Sequence, residues 1–179
     1  ASNSIRKNSN NTYNFSSRAE NHLGTKLIDA SFEDIDESNL LGGEFAYVNG
    51  SFSLQGEYLQ TTLSGVTETK LSSYYAQLSY FLTGESRPYK SSLDGFGRVN
   101  PNNNYGKGGK GAIEVVARTS QICLEKADMG QLNARTIGLN WHLNPNTRVM
   151  VNYVMGERTV LSGEVITENA VMMRAQLDF

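Results

Sequence analysis

Apolar residues recur at every second position along most of this chain, in runs parted by polar stretches rich in Gly, Asn and Ser. The last run is the clearest. In Ala170-Val171-Met172-Met173-Arg174-Ala175-Gln176-Leu177-Asp178-Phe179, residues Val171, Met173, Ala175, Leu177 and Phe179 share one face of a strand. Met172, Arg174, Gln176 and Asp178 share the other. A period of two that separates apolar from polar positions marks a half-buried strand. The polar face here bears both signs of charge. The core of a soluble sandwich would reject them, whereas a barrel with lipid outside and water inside accommodates them.

The same period predicts eight strands. Residues 12–18 set Tyr13 and Phe15 against Asn14, Ser16 and Arg18, and residues 40–48 set Phe45 and Tyr47 against Glu44 and Ala46. Asn49-Gly50 is a strong hairpin signal, and 52–61 returns with Phe52, Leu54 and Tyr58 opposite Ser53, Gln55 and Glu57. Residues 71–82 alternate Tyr74, Ala76, Leu78 and Tyr80 with Tyr75, Gln77 and Ser79; residues 112–124 alternate Ile113, Val115 and Ala117 with Glu114, Val116 and Arg118. The sixth strand sets Ile137, Leu139, Trp141 and Leu143 against Gly138, Asn140 and His142, and Asn144-Pro145-Asn146 turns the chain into 148–154. The terminal strand completes the series. Residues 1–11 read as a flexible lead. Residues 19–39 and 83–111 read as long connections, the first acidic (Glu33, Asp34, Asp36, Glu37) with Lys26 to Phe32 as a strand extension or a packed loop, and the second carrying Arg87, Lys90, Arg98, Lys107 and Lys110. The acidic run lacks the glycine turn and regular ligand spacing of a calcium loop, so it reads as solvated. The basic segment from Arg87 to Lys110 reads first as a solvated, mobile turn, with guidance of anions at one mouth as the alternative.

Two features separate barrel from sandwich. The connections at Asn49-Gly50 and Asn144-Pro145-Asn146 are tight, while those at 19–39, 62–70, 125–130 and 156–169 are longer, the short-turn, long-loop asymmetry of outer-membrane barrels. The segment 83–111 breaks that rule, because strand counting places it on the short-turn side. Phe52, Tyr58, Tyr74, Tyr80, Trp141, Tyr153 and Phe179 all fall on the apolar face, mostly near strand ends, where interface girdles sit. The expectation is therefore an all-β, antiparallel transmembrane barrel domain over 1–179, with the soluble sandwich as the competing architecture.

Composition narrows the function. Only 39% of residues are hydrophobic, and no run approaches the roughly 20 apolar residues of a spanning helix. A net charge of −2 gives no reason to expect a nucleic-acid partner. The single cysteine, Cys123, has no Cys or His at metal-ligand spacing and reads as a structural thiol. His22 and His142 are far apart, and no Ser elbow or phosphate-cradling Gly loop appears, so neither an enzyme, a metal nor a cofactor is expected.

Several blocks resemble the phosphate-selective porins O and P: Phe52-Ser53-Leu54-Gln55-Gly56-Glu57-Tyr58; Tyr75 to Arg87, ending Leu82-Thr83-Gly84-Glu85-Ser86-Arg87; Gly111 to Arg118; Gly138 to Asn146; and the terminal Arg174-Ala175-Gln176-Leu177-Asp178-Phe179. They run in order from about residue 40 to the end, and the Leu-Thr-Gly-Glu-Ser-Arg block is the most specific. The resemblance implies a homotrimeric barrel of sixteen strands in the bacterial outer membrane, passing anions such as phosphate. It also implies that Phe179 is the end read by the insertion machinery. Eight strands match the C-terminal half of such a barrel, so the expectation is a half-barrel, or a subunit of a composite barrel with lipid, small anions and other barrel chains as partners. An eight-stranded barrel closed on itself would be filled by side chains. The family's dedicated anion site is associated with an infolded loop of the other half.

The channel chemistry would lie on the inward positions, foremost Arg18, Glu57, Glu114, Arg118, His142, Arg148 and Arg174, with Glu44, Gln55, Gln77, Asn140, Asn152 and Asp178 beside them. Rings of Arg select anions and acidic rings select cations. Arg18, Arg118, Arg148 and Arg174 could line an anion path, since guanidinium matches phosphate in bidentate fashion. Alternatively Glu44, Glu57, Glu114 and Asp178 pair with those arginines across neighbouring strands and hold the wall. The competing function is a structural or partner-binding barrel that conducts nothing.

Overall fold

A computed structural model describes the backbone of residues 2–7, 11–91, 95–106, 108–124 and 129–179. Asp94 and Lys107, and most of the connection expected at 125–130, lie outside the described residues. The described residues form twelve strands and no helix: β1 (Ser2–Lys7), β2 (Thr12–Ser17), β3 (Ile28–Glu33), β4 (Ile35–Asn49), β5 (Phe52–Gly65), β6 (Thr69–Phe81), β7 (Tyr89–Ser91), β8 (Gly95–Phe96), β9 (Ala112–Cys123), β10 (Gln131–Asn144), β11 (Thr147–Thr159) and β12 (Val165–Leu177). Eight make one antiparallel sheet in the order β1-β4-β5-β6-β9-β10-β11-β12, with β1 and β12 at its edges. The pairs β2-β3 and β7-β8 are separate hairpins.

The sheet therefore has the expected eight strands, but its first member differs. Ser2–Lys7, within the expected flexible lead, pairs with Gly42 to Glu37 of β4. That segment offers a single large apolar side chain, Ile5, so backbone hydrogen bonds hold it and no side-chain period announces it. The strand expected at 12–18 exists as β2 but pairs only with β3. It alternates because Tyr13 and Phe15 pack onto an apolar cluster rather than because it stands in the wall.

The connections also differ from expectation. Those expected at 62–70 and 156–169 shrink to residues 66–68 and 160–164, because β5, β6, β11 and β12 continue as polar strand beyond the apolar positions. The turn at residue 50 occupies Gly50 and Ser51, since Asn49 still pairs with Phe52. Positive φ at Gly50 alone (55°) is the backbone sign of a two-residue hairpin with Gly first. Across the sheet, Pro145 and Asn146 turn the chain between Asn144 and Thr147, and the Asn144 side chain accepts from the Asn146 N–H at 2.9 Å.

The two faces of the sheet are inverted relative to a soluble protein. Phe45 (55% exposed), Tyr47, Leu78, Tyr80, Ile137 (62%), Leu139, Val151, Val171 and Met173 (79%) stand on the outer face, while Ser53, Ser79, Glu114 and His142 are buried on the inner one. Following hydrogen-bonded partners, Glu44 on β4 leads through Glu57, Tyr75, Ser120, Ala134 and Gly156 to Glu168 on β12. The exposed apolar run on β4, Leu41 to Tyr47, centres on residue 44. That on β12 starts at Val171, after polar Thr167 and Asn169 part it from exposed Val165, and runs past the strand's end to Phe179. It centres on Ala175, seven residues beyond Glu168 after six strand pairs. At about 3.3 Å per residue and about 4.8 Å between strands, that slope is about 40°. A level apolar belt thus requires strands tilted as in transmembrane barrels.

Candidate functional site on the inner sheet face

Both long connections fold onto the inner face, one at each end of the strands, and they make the two sites there. Burying polar side chains costs free energy unless they are hydrogen-bonded, and the wall meets that demand sideways. Ser53 and Ser79 bond at 2.7 Å, Asn140 donates to Glu114 at 2.8 Å, and His142 Nε2 lies 3.4 Å from the same Glu114 oxygen. Glu114 therefore has an amide and an imidazole as neighbours rather than the arginine of a cross-strand ion pair.

At the end of the tight turns, the connection after β6 brings Glu85, Arg87, Phe96 and Arg98 to the inner face. Glu85 is buried and anchors the connection, accepting from the Thr83 hydroxyl and, at 3.0 Å, from the Asn102 N–H. Thr83 in turn accepts from the Ile113 N–H of β9 at 2.9 Å. This bracing carries Arg87 inward, where it donates to Gln55 at 2.8 Å and lies over the Phe96 ring at 3.9 Å. Burial pulls the Arg87 pKa below that of a free guanidinium; Glu114 opposes that pull and Arg148 adds to it. The result is a cleft of about 440 Å³ lined by Arg87, Arg98 and Arg148 against Glu114 and Asp178. Arg148 forks onto Gln176 at 2.8 and 3.2 Å, Gln176 donates to Asp178 at 2.8 Å, and Arg98 donates to Asn146 at 2.8 Å. The expected solvated turn is thus held at named points, because buried Glu85 braces Thr83 and Asn102 within the connection and Arg87 finds Gln55 on the wall.

At the opposite end the β2-β3 hairpin packs on the wall. Leu27, Ile28 and Ile35 join Leu63, Leu71, Leu124, Leu132 and Ala134 in an apolar cluster. Ala19 is buried where Gly156 of β11 leaves room; a Cβ on Gly156 would overlap it. Beside that contact Glu20 reaches the wall. One carboxylate oxygen accepts from Arg118 Nε at 2.6 Å and from Ser120 at 2.8 Å, and the other accepts from Thr136 at 2.7 Å. Burial pushes the Glu20 pKa up, but the bonds from Thr136, Arg118 and Ser120 outweigh it and hold the carboxyl below its ordinary value. Arg118 is itself fixed over the Tyr75 ring at 3.8 Å. Asn21 donates to Glu168 at 3.2 Å, and Arg158 donates to the Leu27 carbonyl.

Of the residues expected to line a channel, Glu114, His142 and Arg148 share the first cleft. Glu57 and Arg118 share the second, of about 230 Å³, with Arg18. Arg18 sits on the hairpin rather than in the wall and donates to the Gly24 carbonyl at 3.0 Å. Arg174 is exposed on β12 and makes no hydrogen bond among the described residues. Two central residues, Glu20 and Arg87, lie outside the strands, where periodicity carries no signal; Arg87 ends the Leu-Thr-Gly-Glu-Ser-Arg block, while nothing in the sequence marks Glu20.

Comparison with known proteins agrees with this architecture. The family model described as phosphate-selective porin O and P matches residues 2–179. Porin O of Pseudomonas aeruginosa is 34% identical over 133 residues, covering 66% of this chain and 30% of Porin O. An uncharacterized protein of Caulobacter vibrioides is 29% identical over 133 residues, covering 72% of this chain and 27% of that protein. The chain thus spans less than a third of the length of these relatives. With an inverted sheet, tilted strands and a family match along nearly its whole length, the chain belongs to the phosphate-selective porin O and P family.

Proposed function

We propose that these residues form part of the wall of a passive channel in the bacterial outer membrane, through which small anions, phosphate among them, diffuse. The observation that carries the reading is the inversion of the sheet: an exposed apolar belt outside and a buried, charged, hydrogen-bonded face inside. In lipid, unpaired backbone groups along β1 and β12 require strand partners, met by each other or by further strands. Anion preference is supported by the cleft in which Arg87, Arg98 and Arg148 outnumber Glu114 and Asp178. Solutes pass by diffusion, with no bond made or broken. The test is the reversal potential of the full-length protein in a planar bilayer under a salt gradient. The expected result is an anion-to-cation permeability ratio above one that falls in Arg87→Gln and Arg148→Gln; cation preference of the unmodified protein overturns the reading.

A further inference from the structure

We infer that Arg118, Ser120 and Thr136 form an oxoanion-binding site on the channel wall, which Glu20 occupies as a tethered internal competitor. The inference rests on the reading of the inner face as a water-filled lumen. Arg118 and Thr136 are direct partners across β9 and β10, and Ser120 is two residues along the same face of β9. Three donors thus stand on paired strands, the rigid placement that recognition requires. They converge on two oxygens of one anion at 2.6, 2.8 and 2.7 Å. Guanidinium and hydroxyl donors serve a carboxylate or a phosphate by the same charge-assisted geometry.

Glu20 is one of several contacts that dock its hairpin, so its loss loosens the turn without releasing it. The apolar cluster, the Ala19–Gly156 contact and the bonds of Asn21 and Arg158 all hold the hairpin independently. The adjoining cleft of about 230 Å³ leaves space beside the donors on the lumen side, with Arg18 at its margin and Glu57 two strands away. A carboxylate tethered this way acts at an effective concentration of about millimolar or above. Free anions must match that concentration to enter, and entry displaces the Glu20 side chain. The site therefore couples anion concentration in the channel to the hold of the hairpin on the wall.

The experiment is calorimetric titration of inorganic phosphate into the full-length protein in detergent, for the unmodified protein, Glu20→Gln, and Glu20→Gln combined with Arg118→Gln. Glu20→Gln is expected to bind phosphate at least about tenfold more tightly, and the added Arg118→Gln to abolish the gain. Equal affinity in the unmodified protein and Glu20→Gln, or a gain that survives loss of Arg118, overturns the inference. If Glu20→Gln does not fold, Glu20→Asp, with its carboxylate drawn back by one methylene, carries the same expectation of tighter binding, and unchanged binding overturns it. Calorimetry reads binding and not conduction. Binding in this pattern without anion preference in bilayers sinks the channel reading alone; an anion-selective channel indifferent to Glu20 sinks this inference alone.

Discussion

Glu20 is a residue through which acid can loosen the β2-β3 hairpin. Burial works against its charge, yet three donors hold its folded pKa below the ordinary carboxylate value. For a carboxylate so depressed, the stabilisation is fully present above the unfolded-state pKa and disappears as pH falls through the lower folded pKa. The hairpin turn is therefore expected to hold its grip unchanged at neutral and mildly acid pH. It should loosen only below the ordinary carboxylate range, when Glu20 takes up a proton and no longer attracts Arg118. Amide exchange over residues 18–27, corrected for the intrinsic effect of pH, checks this. Protection that already fades near neutrality assigns the latch to some other group. The same measurement on Glu20→Gln should show raised exchange that no longer follows pH.

At the scale of elements, the strands of the wall were legible in the sequence and the inserts only in part: β2, and β3 as one alternative, read as strand, while their pairing with each other was not legible. Ile113, Val115 and Ala117, or Leu139 and Trp141, alternate because one side of each strand meets hydrocarbon, and the structure places them accordingly. Above the belt, strand residues such as Thr62, Ser64, Thr69 and Lys70 have no lipid face, so period two fades and strand reads as loop. The segment 82–111 was illegible for a different reason: its fold depends on single buried contacts among Gly- and Asn-rich chain, which composition describes as mobile. Glu85 is the test of that account. Glu85→Ala leaves the part-buried Thr83 hydroxyl and Asn102 N–H without their acceptor, at a cost of about 1 kcal/mol. Amide protection at Asn102 is expected to fall and channel conductance to rise as Arg87 leaves Gln55, while the strands themselves stay protected. Loss of protection spread evenly across β5 and β9 would show instead that Glu85 supports the whole sheet.

On the scale of the whole molecule, the slope of the apolar belt distinguishes a tilted barrel wall from a level sheet. Phe45 on β4 and Asn169 on β12 lie in one hydrogen-bonded row, joined through Gly56, Ala76, Thr119, Arg135 and Met155. In an untilted sheet they would sit at the same height. With strands tilted by about 40°, Phe45 lies within the belt, whereas Asn169 lies beyond its edge among Arg135, Glu157 and Thr167. Charge on the lipid face is penalised by depth, about 2–4 kcal/mol for Arg at the midplane and about 0–1 kcal/mol near the interface. Phe45→Arg should therefore lower the free energy of folding into bilayers by most of that larger amount, and Asn169→Arg by little, although the two share a row. Equal penalties would mean that the row runs level with the membrane and the barrel tilt is absent. A large penalty at Asn169 alone would place the belt at the wrong height on β12. A large penalty at Phe45 alone fixes both the tilt of the wall and which of its faces meets lipid, the two facts on which a water-filled lumen depends.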